Sequence, residues 1–155
     1  TNFHKAVSEF GYRQDEGTVV ATYTIAGLKS GSTAQAVWGL DDGTSSNRIW
    51  NYGRSSGDAT QLISSTDGST LASMAGGSAV AGALASTASA YKADDFSYVK
   101  DGVSVGTDTN NTVPPVTKLW VGRSSTSSNH LNGYIKKLVY YPARLADATL
   151  VEESS

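Results

Sequence analysis

Apolar and polar residues alternate along much of this 155-residue chain, and turn residues cut the alternation into short runs. A two-residue period places successive side chains on opposite faces of an extended strand. Thr18–Ile25 puts Val19, Ala21, Tyr23 and Ile25 on one face, with Val20, Thr22 and Thr24 on the other. Ala36–Asp41 groups Ala36, Trp38 and Leu40, with Trp38 assigned to the core. In the run Arg48–Tyr52, Arg48, Trp50 and Tyr52 oppose Ile49 and Asn51. Thr60–Ser64, Leu71–Met74, Ala88–Lys92, Phe96–Lys100, Val103–Asp108, Lys118–Gly122 and Tyr134–Tyr141 complete the predicted strands.

Turn chemistry falls between these runs. Asp101-Gly102 and Asp67-Gly68 are hairpin signals, because a tight two-residue turn needs positive φ at both central positions. Asp42-Gly43 opens a longer loop. Pro114-Pro115 marks a connection, since neither ring nitrogen can donate to a sheet. The Ala-, Gly- and Ser-rich stretch 73–90 reads as strand edges and loops rather than a linker, because strand-like segments flank it. One short helix is predicted after Pro142, over 143–153, with Leu145, Thr149 and Leu150 on one face.

About ten short strands and one terminal helix predict an all-β protein with two antiparallel sheets packed face to face. The length suits one domain spanning 1–155, with 1–14 as a lead-in segment. The chain opens on Thr1 with no initiator Met or signal-like stretch, as a processed product or a piece of a larger protein would. Net charge is −2, so the totals show no basic face for nucleic acid. No apolar run reaches the ~20 residues a membrane span needs. With no cysteine, disulfides and thiolate chemistry are excluded.

The motifs for catalysis are weak. No Glu lies between Glu16 and Glu152, and the pairs Asp41/Asp42 and Asp94/Asp95 are adjacent. Adjacent residues in a strand point to opposite faces, so neither pair can clamp a sugar from one side. Gly53-Arg54-Ser55-Ser56-Gly57 matches G-x-S-x-G, but a nucleophile elbow needs a helix next, and 58–65 reads as a strand. His4 and His130 lack partners at zinc-ligand spacing. Asp41-Asp42-Gly43-Thr44 offers oxygens to calcium without the spacing of a dedicated loop, so no cofactor is expected and calcium stays an alternative.

Aromatic residues mixed with Arg, Lys and Asn suit a carbohydrate surface. Sugar rings stack their C–H faces on Trp and Tyr, and Asn and Arg bond hydroxyls. The candidate ligand-binding residues are Asn47, Arg48, Trp50, Tyr52 and Trp120. On this reading Trp50→Ala weakens glycan binding and leaves the melting temperature unchanged. The alternative buries Trp50 and Trp120 in the sandwich while Arg48 and Lys118 snorkel to its edge.

Several segments carry a family resemblance. They are Asp15-Glu16-Gly17-Thr18, Leu40-Asp41-Asp42-Gly43-Thr44 with Asn47-Arg48-Ile49, and Ala90-Tyr91-Lys92-Ala93-Asp94-Asp95-Phe96 with Asp101-Gly102. Thr112-Val113-Pro114, Leu119-Trp120-Val121-Gly122, Leu131-Asn132-Gly133-Tyr134-Ile135-Lys136-Lys137 and Tyr140-Tyr141-Pro142-Ala143-Arg144-Leu145 follow. Together they resemble the concanavalin A-like (laminin G-like) jelly-roll domain of tailed-bacteriophage virion proteins, over roughly 15–151. The resemblance implies a jelly-roll sandwich on the virion surface, in a tail fibre, tail spike or capsid-surface protein. Its implied partners are other virion proteins and host or environmental glycans, in an oligomeric assembly. Relatives carry Ser and Glu, a capping box, at the positions of Ala146 and Thr149. Three functions follow: a non-catalytic adhesion module, a purely architectural module, or a glycan hydrolase or lyase. The chain is expected not to be an enzyme.

Overall fold

The computed structural model describes residues 3–31, 33–54, 60–77, 79–125 and 128–155. Its strands are β1 (Phe3–Ala6), β2 (Glu16–Ile25), β3 (Gln35–Asp41), β4 (Arg48–Gly53), β5 (Thr60–Thr66), β6 (Ser69–Ala75), β7 (Leu84–Lys92), β8 (Phe96–Lys100), β9 (Val103–Asp108), β10 (Lys118–Val121) and β11 (Gly133–Tyr141). One helix, α1 (Asp147–Glu153), closes the chain. Six strands form one sheet in the order β1-β10-β3-β4-β5-β6. Five form the other in the order β11-β2-β7-β8-β9. All pairings are antiparallel. Both Asp-Gly steps are hairpin turns with positive φ at each residue, 49° and 80° at Asp67-Gly68 and 50° and 71° at Asp101-Gly102.

The core lies between the sheets. Val19, Ala21, Tyr23 and Ile25 of β2 meet Trp38 and Leu40 of β3, Ile49 of β4, Met74 of β6, and Phe96 and Tyr98 of β8. Fully burying a side chain such as Leu40 or Ile49 contributes about 1.5–3 kcal/mol. Polar contacts at Asn51 cross this interior: its Nδ2 donates to Tyr98 Oη at 2.9 Å and its Oδ1 accepts from Thr87 Oγ1 at 3.5 Å. Burial raises the Tyr98 pKa, so the hydroxyl stays protonated in its contact with Asn51.

Two details depart from the sequence reading. Within the segment 1–14, expected as a lead-in, Phe3–Ala6 forms β1, which pairs with β10 and extends the six-stranded sheet. Ala36 does not share a face with Trp38 and Leu40. The register shifts between Ala36 and Trp38, and a bulge turns Ala36 to the outer face. Trp38 and Leu40 remain in the core.

The short terminal helix expected over 143–153 is present as α1, and it forms without the capping box. Ala146 occupies the N-cap with no side-chain bond. Packing and charge supply the stability instead. Leu150 is buried against Val20, Ala88, Ala90 and Val99 on the outer face of the five-stranded sheet. Arg144 reaches Asp95 at 2.8 Å and Asp147 at 2.7 Å, tying the β7–β8 turn to the first turn of α1. Ahead of it, Leu145 N donates to Thr18 Oγ1 at 3.0 Å and Arg144 N to Glu16 Oε2 at 3.1 Å. These bonds latch residues 143–145 onto β2.

Candidate functional site

The outer face of the six-stranded sheet gathers most of the aromatic and cationic residues singled out above. Alternation along β4 sends Arg48, Trp50 and Tyr52 outward, with Ile49 and Asn51 inward. Cross-strand register extends the face. Gly39 of β3 lies between Trp50 of β4 and Trp120 of β10, and His4 of β1 pairs with Trp120 on its far side. One row therefore reads His4, Trp120, Gly39, Trp50 across four strands. The next row brings Lys118, Asp41 and Arg48 together.

Along β4 the side chains form a ladder. The Arg48 guanidinium lies 4.3 Å from the centre of the Trp50 ring. The Trp50 and Tyr52 rings are 4.2 Å apart, and Arg54 sits 5.8 Å from Tyr52. Each cation–aromatic contact is worth about 0.5–1 kcal/mol at an exposed site and more when water is excluded. The ladder explains why Trp50 and Tyr52 are only 5% and 3% exposed although they lie outside the main core. With Ala36 and Ala34 they form an apolar cluster of their own.

A second cluster surrounds Trp120, which is half-buried. His4 stacks against it at 4.7 Å, Arg123 lies 4.8 Å from its ring and Lys118 5.9 Å. Its indole N–H donates to Asp41 Oδ1 at 2.8 Å. Asp41 is 1% exposed and also accepts from Gly43 N at 2.8 Å and Ser125 N at 3.3 Å. This buried carboxylate therefore fixes the Trp120 ring, the 42–44 turn and the segment after β10 at once. That segment runs over the face: a Cβ on Gly39 would come within 3.9 Å of the Arg123 carbonyl oxygen.

Of the five expected ligand residues, four lie on this face: Arg48, Trp50, Tyr52 and Trp120. Asn47 lies at its margin and is engaged in turn structure. Its Nδ2 donates to Asp42 Oδ2 at 2.9 Å and its Oδ1 accepts from Asp67 N at 3.1 Å, joining two turns. Trp50 is buried as the alternative reading held, but beneath its own ladder rather than between the sheets. Its ring carries Arg48 and Tyr52 as neighbours, so the groups turned outward are guanidinium edges more than bare aromatic faces.

Arg54 and Arg123 belong to this cluster and were not among the expected residues. Arg54 continues the period-two register 48, 50, 52 one residue past the end of β4, so a signal for it existed in the sequence. Arg123 reaches the face only through the chain reversal after Gly122, whose φ is +70°, and no local pattern announces that.

The remaining chemical motifs resolve into structure. Asp42 accepts from Thr44 N at 2.8 Å, Thr44 Oγ1 at 2.6 Å and Asn47 Nδ2. Burial pushes its pKa up, and these hydrogen bonds outweigh that and hold it below the ordinary aspartate value. Both carboxylates of the Asp41/Asp42 pair are thus occupied by turn donors. No group of three or more His, Cys, Asp or Glu residues placed to hold a metal occurs among the described residues. Asp95 is bound to Arg144. In the G-x-S-x-G stretch, Ser55, Ser56 and Gly57 lie outside the described residues; β4 precedes the stretch and β5 follows it. His130 is exposed in the loop after β10. No helix among the described residues is long and apolar enough to cross a membrane.

No family model matches the chain, and no curated protein matches its sequence. Solved structures do. The chain is similar to the CBM40 of Ruminococcus gnavus IT-sialidase bound to α2,3-sialyllactose, with a TM-score of 0.74 and 16% identity over 96% of this chain and 86% of that one. It is similar to mouse laminin α1 domains LG4-5, with a TM-score of 0.70 and 8% identity over 94% of this chain and 40% of that one. A heptameric SAP-like pentraxin from Limulus polyphemus matches with a TM-score of 0.65 and 11% identity, covering 90% and 70%. The fold is a concanavalin A-like jelly roll. At these identities the likeness concerns the fold alone, and a jelly roll hosts binding modules and enzymes alike. The bacteriophage setting rests on the sequence resemblance, not on these structures.

Proposed function

We propose that this jelly roll is a non-catalytic glycan-binding module whose ligand lies across the outer face of the six-stranded sheet. The observation that carries the reading is the meeting, on one face, of the β4 ladder with the Trp120 cluster. Its support from outside the chain is the similarity to a carbohydrate-binding module bound to sialyllactose. The site residues are Arg48, Trp50, Tyr52 and Trp120, with Arg54, Lys118 and Arg123 beside them and Asn47 holding the rim. Arg48 and Arg123 present donors to sugar oxygens, and Trp120 offers the more accessible ring. Binding without cleavage follows from the carboxylates of the face: Asp41 is buried and Asp42 is saturated by turn donors. Most glycosidase families need two free carboxyl groups flanking one bond.

The sequence resemblance places such a module on a phage virion, where many weakly binding copies would gain avidity. A glycan array probed with the purified chain tests the binding reading, with Trp120→Ala as the site variant. Loss of signal in the variant supports it, and an array empty for the wild type contradicts it. Prolonged incubation of any bound glycan, followed by an assay for new reducing ends, tests the absence of cleavage.

A second, architectural reading has its own observation. Val80, Leu84 and Val103 are 65%, 56% and 66% exposed and line neighbouring clefts around the Lys100-Asp101 turn. A clustered apolar surface away from the core suits contact with another protein. Light scattering of the wild type and of Val103→Asp tests whether this end mediates assembly with other copies.

A further inference from the structure

Five arginines are present in the sequence: Arg13, Arg48, Arg54, Arg123 and Arg144. The two away from the six-stranded sheet's outer face each hold two carboxylates. Arg13 pairs with Asp15 and Glu16, and Arg144 with Asp95 and Asp147. The three on that face, Arg48, Arg54 and Arg123, have no carboxylate within ion-pair distance among the described residues, and neither does Lys118 beside them. Asp41, which lies across from Arg48 in the strand register, is buried with its oxygens given to Trp120, Gly43 and Ser125. Among the described residues, a chain of net charge −2 thus concentrates on one face positive charge that no carboxylate pairs.

The geometry of these cations matters as much as their number. Arg48 and Arg54 lie over Trp50 and Tyr52, and their Nε atoms are buried without a partner. A ring contact takes up one side of a guanidinium and leaves its N–H edge to other partners. That edge is a planar fork of N–H donors that matches a carboxylate in two parallel hydrogen bonds. Burial also lowers the Arg48 pKa, while the nearby Tyr52 and Asp41 oppose that shift. A cation kept partly out of water gains from an incoming anion more than an exposed one does.

We infer that the site takes acidic glycans, with the carboxylate of a uronic or ulosonic acid residue received by the guanidinium edges of Arg48, Arg54 and Arg123. This inference rests on the glycan-binding reading above and narrows it to a ligand class.

Isothermal titration of the purified chain tests it with paired probes: 3′-sialyllactose against lactose, and trigalacturonate against its carboxyl-reduced product. Tighter binding of the acidic member, by at least about tenfold, is the expected result, the scale of one charge-assisted hydrogen bond. The preference should shrink as NaCl rises from 0.05 to 0.5 M, because the salt screens partly exposed charges. Arg48→Gln and Arg123→Gln should each reduce the preference, and Lys136→Gln on the other sheet should leave it intact. The ligand-side comparison stands even where an arginine variant folds poorly. Equal binding of acidic and neutral members overturns this inference and leaves the glycan reading standing. Binding confined to a heparin hexasaccharide assigns the site to sulfate and overturns the carboxylate. Equal affinity for a single-stranded DNA 12-mer shows a nonspecific polyanion surface and overturns it as well. Silence in every sugar arm overturns both.

Discussion

Trp50 shows how one residue can be both buried and part of a surface. Its ring is enclosed by Arg48 on one side and Tyr52 on the other, and only 5% of the residue is exposed. Truncating it leaves a hole in the ladder and frees the Arg48 guanidinium. Trp50→Ala should therefore not leave the melting temperature unchanged, as expected of a bare surface ring, but cost about 3 kcal/mol, a fall of about 6–12 °C in Tm for a chain of this size. Thermal unfolding followed by circular dichroism checks it, and a change within 2 °C would show that the ladder holds nothing in place. At Gly17 the constraint is space. A Cβ there would sit 2.4 Å from Tyr91 Oη and 2.9 Å from Tyr140 Cε2. Tyr91 is itself buried and stacks on Tyr12, so it has little room to retreat. Gly17→Ala should destabilise the fold by about 1–3 kcal/mol, measured by urea denaturation. The shared face of Arg48, Trp50 and Tyr52 was legible in their spacing, but which way that face turns was not. Nor was the depth of Trp50, because the residues that cover it act through the third dimension.

Helix α1 shows an element held by its neighbours rather than by its own ends. The N-cap residue Ala146 has an extended backbone, φ −60° and ψ 149°, the conformation in which a Ser side chain would bond the first free N–H groups. Ala146→Ser should raise stability by about 1 kcal/mol, read as an upward shift of the urea midpoint with an unchanged slope. An unchanged midpoint would show that a hydroxyl at this position does not bond those N–H groups. The strands were legible for a related reason: each alternating run ended at a turn residue whose chemistry agreed. Two features escaped this logic. Strand β1 is a short, exposed edge segment, Phe-His-Lys-Ala, which exists by pairing with β10. The bulge at Val37 inverts the face of Ala36 without any local signature, since both Ala and Val suit either face.

The whole molecule has an acid limit set by its carboxylates. Hydrogen bonds from Lys137 and Tyr141 hold Glu153 below its ordinary pKa. The Arg13 side chain does the same for Asp15, and Asp42 is held low although burial opposes it. Groups whose folded pKa is depressed stabilise the fold fully above their unfolded values and lose that contribution as pH falls through the folded ones. Stability should therefore be flat near neutrality and fall below about pH 4, as urea midpoints across a pH series would record. A midpoint unchanged down to pH 2 would show that these contacts contribute nothing. At this scale the sandwich was legible and the site only half so. Arg48 and Trp120 are 72 positions apart in the sequence. They share a face because β3 lies between β4 and β10, an order that strand patterns do not encode.

The central claim is that ligand binding belongs to the outer face of the six-stranded sheet, and nuclear magnetic resonance of the 15N-labelled chain addresses it most directly. The indole N–H signals of Trp50 and Trp120 and the Nε–H signals of Arg48, Arg54 and Arg123 report on that face, while Trp38, buried in the core, serves as an internal control. Titration with the tightest-binding glycan should shift the Trp120, Arg48 and Arg123 signals together along one saturable curve and leave Trp38 still. Saturable shifts confined to the five-stranded sheet, or to the Lys100-Asp101 turn, would contradict the account.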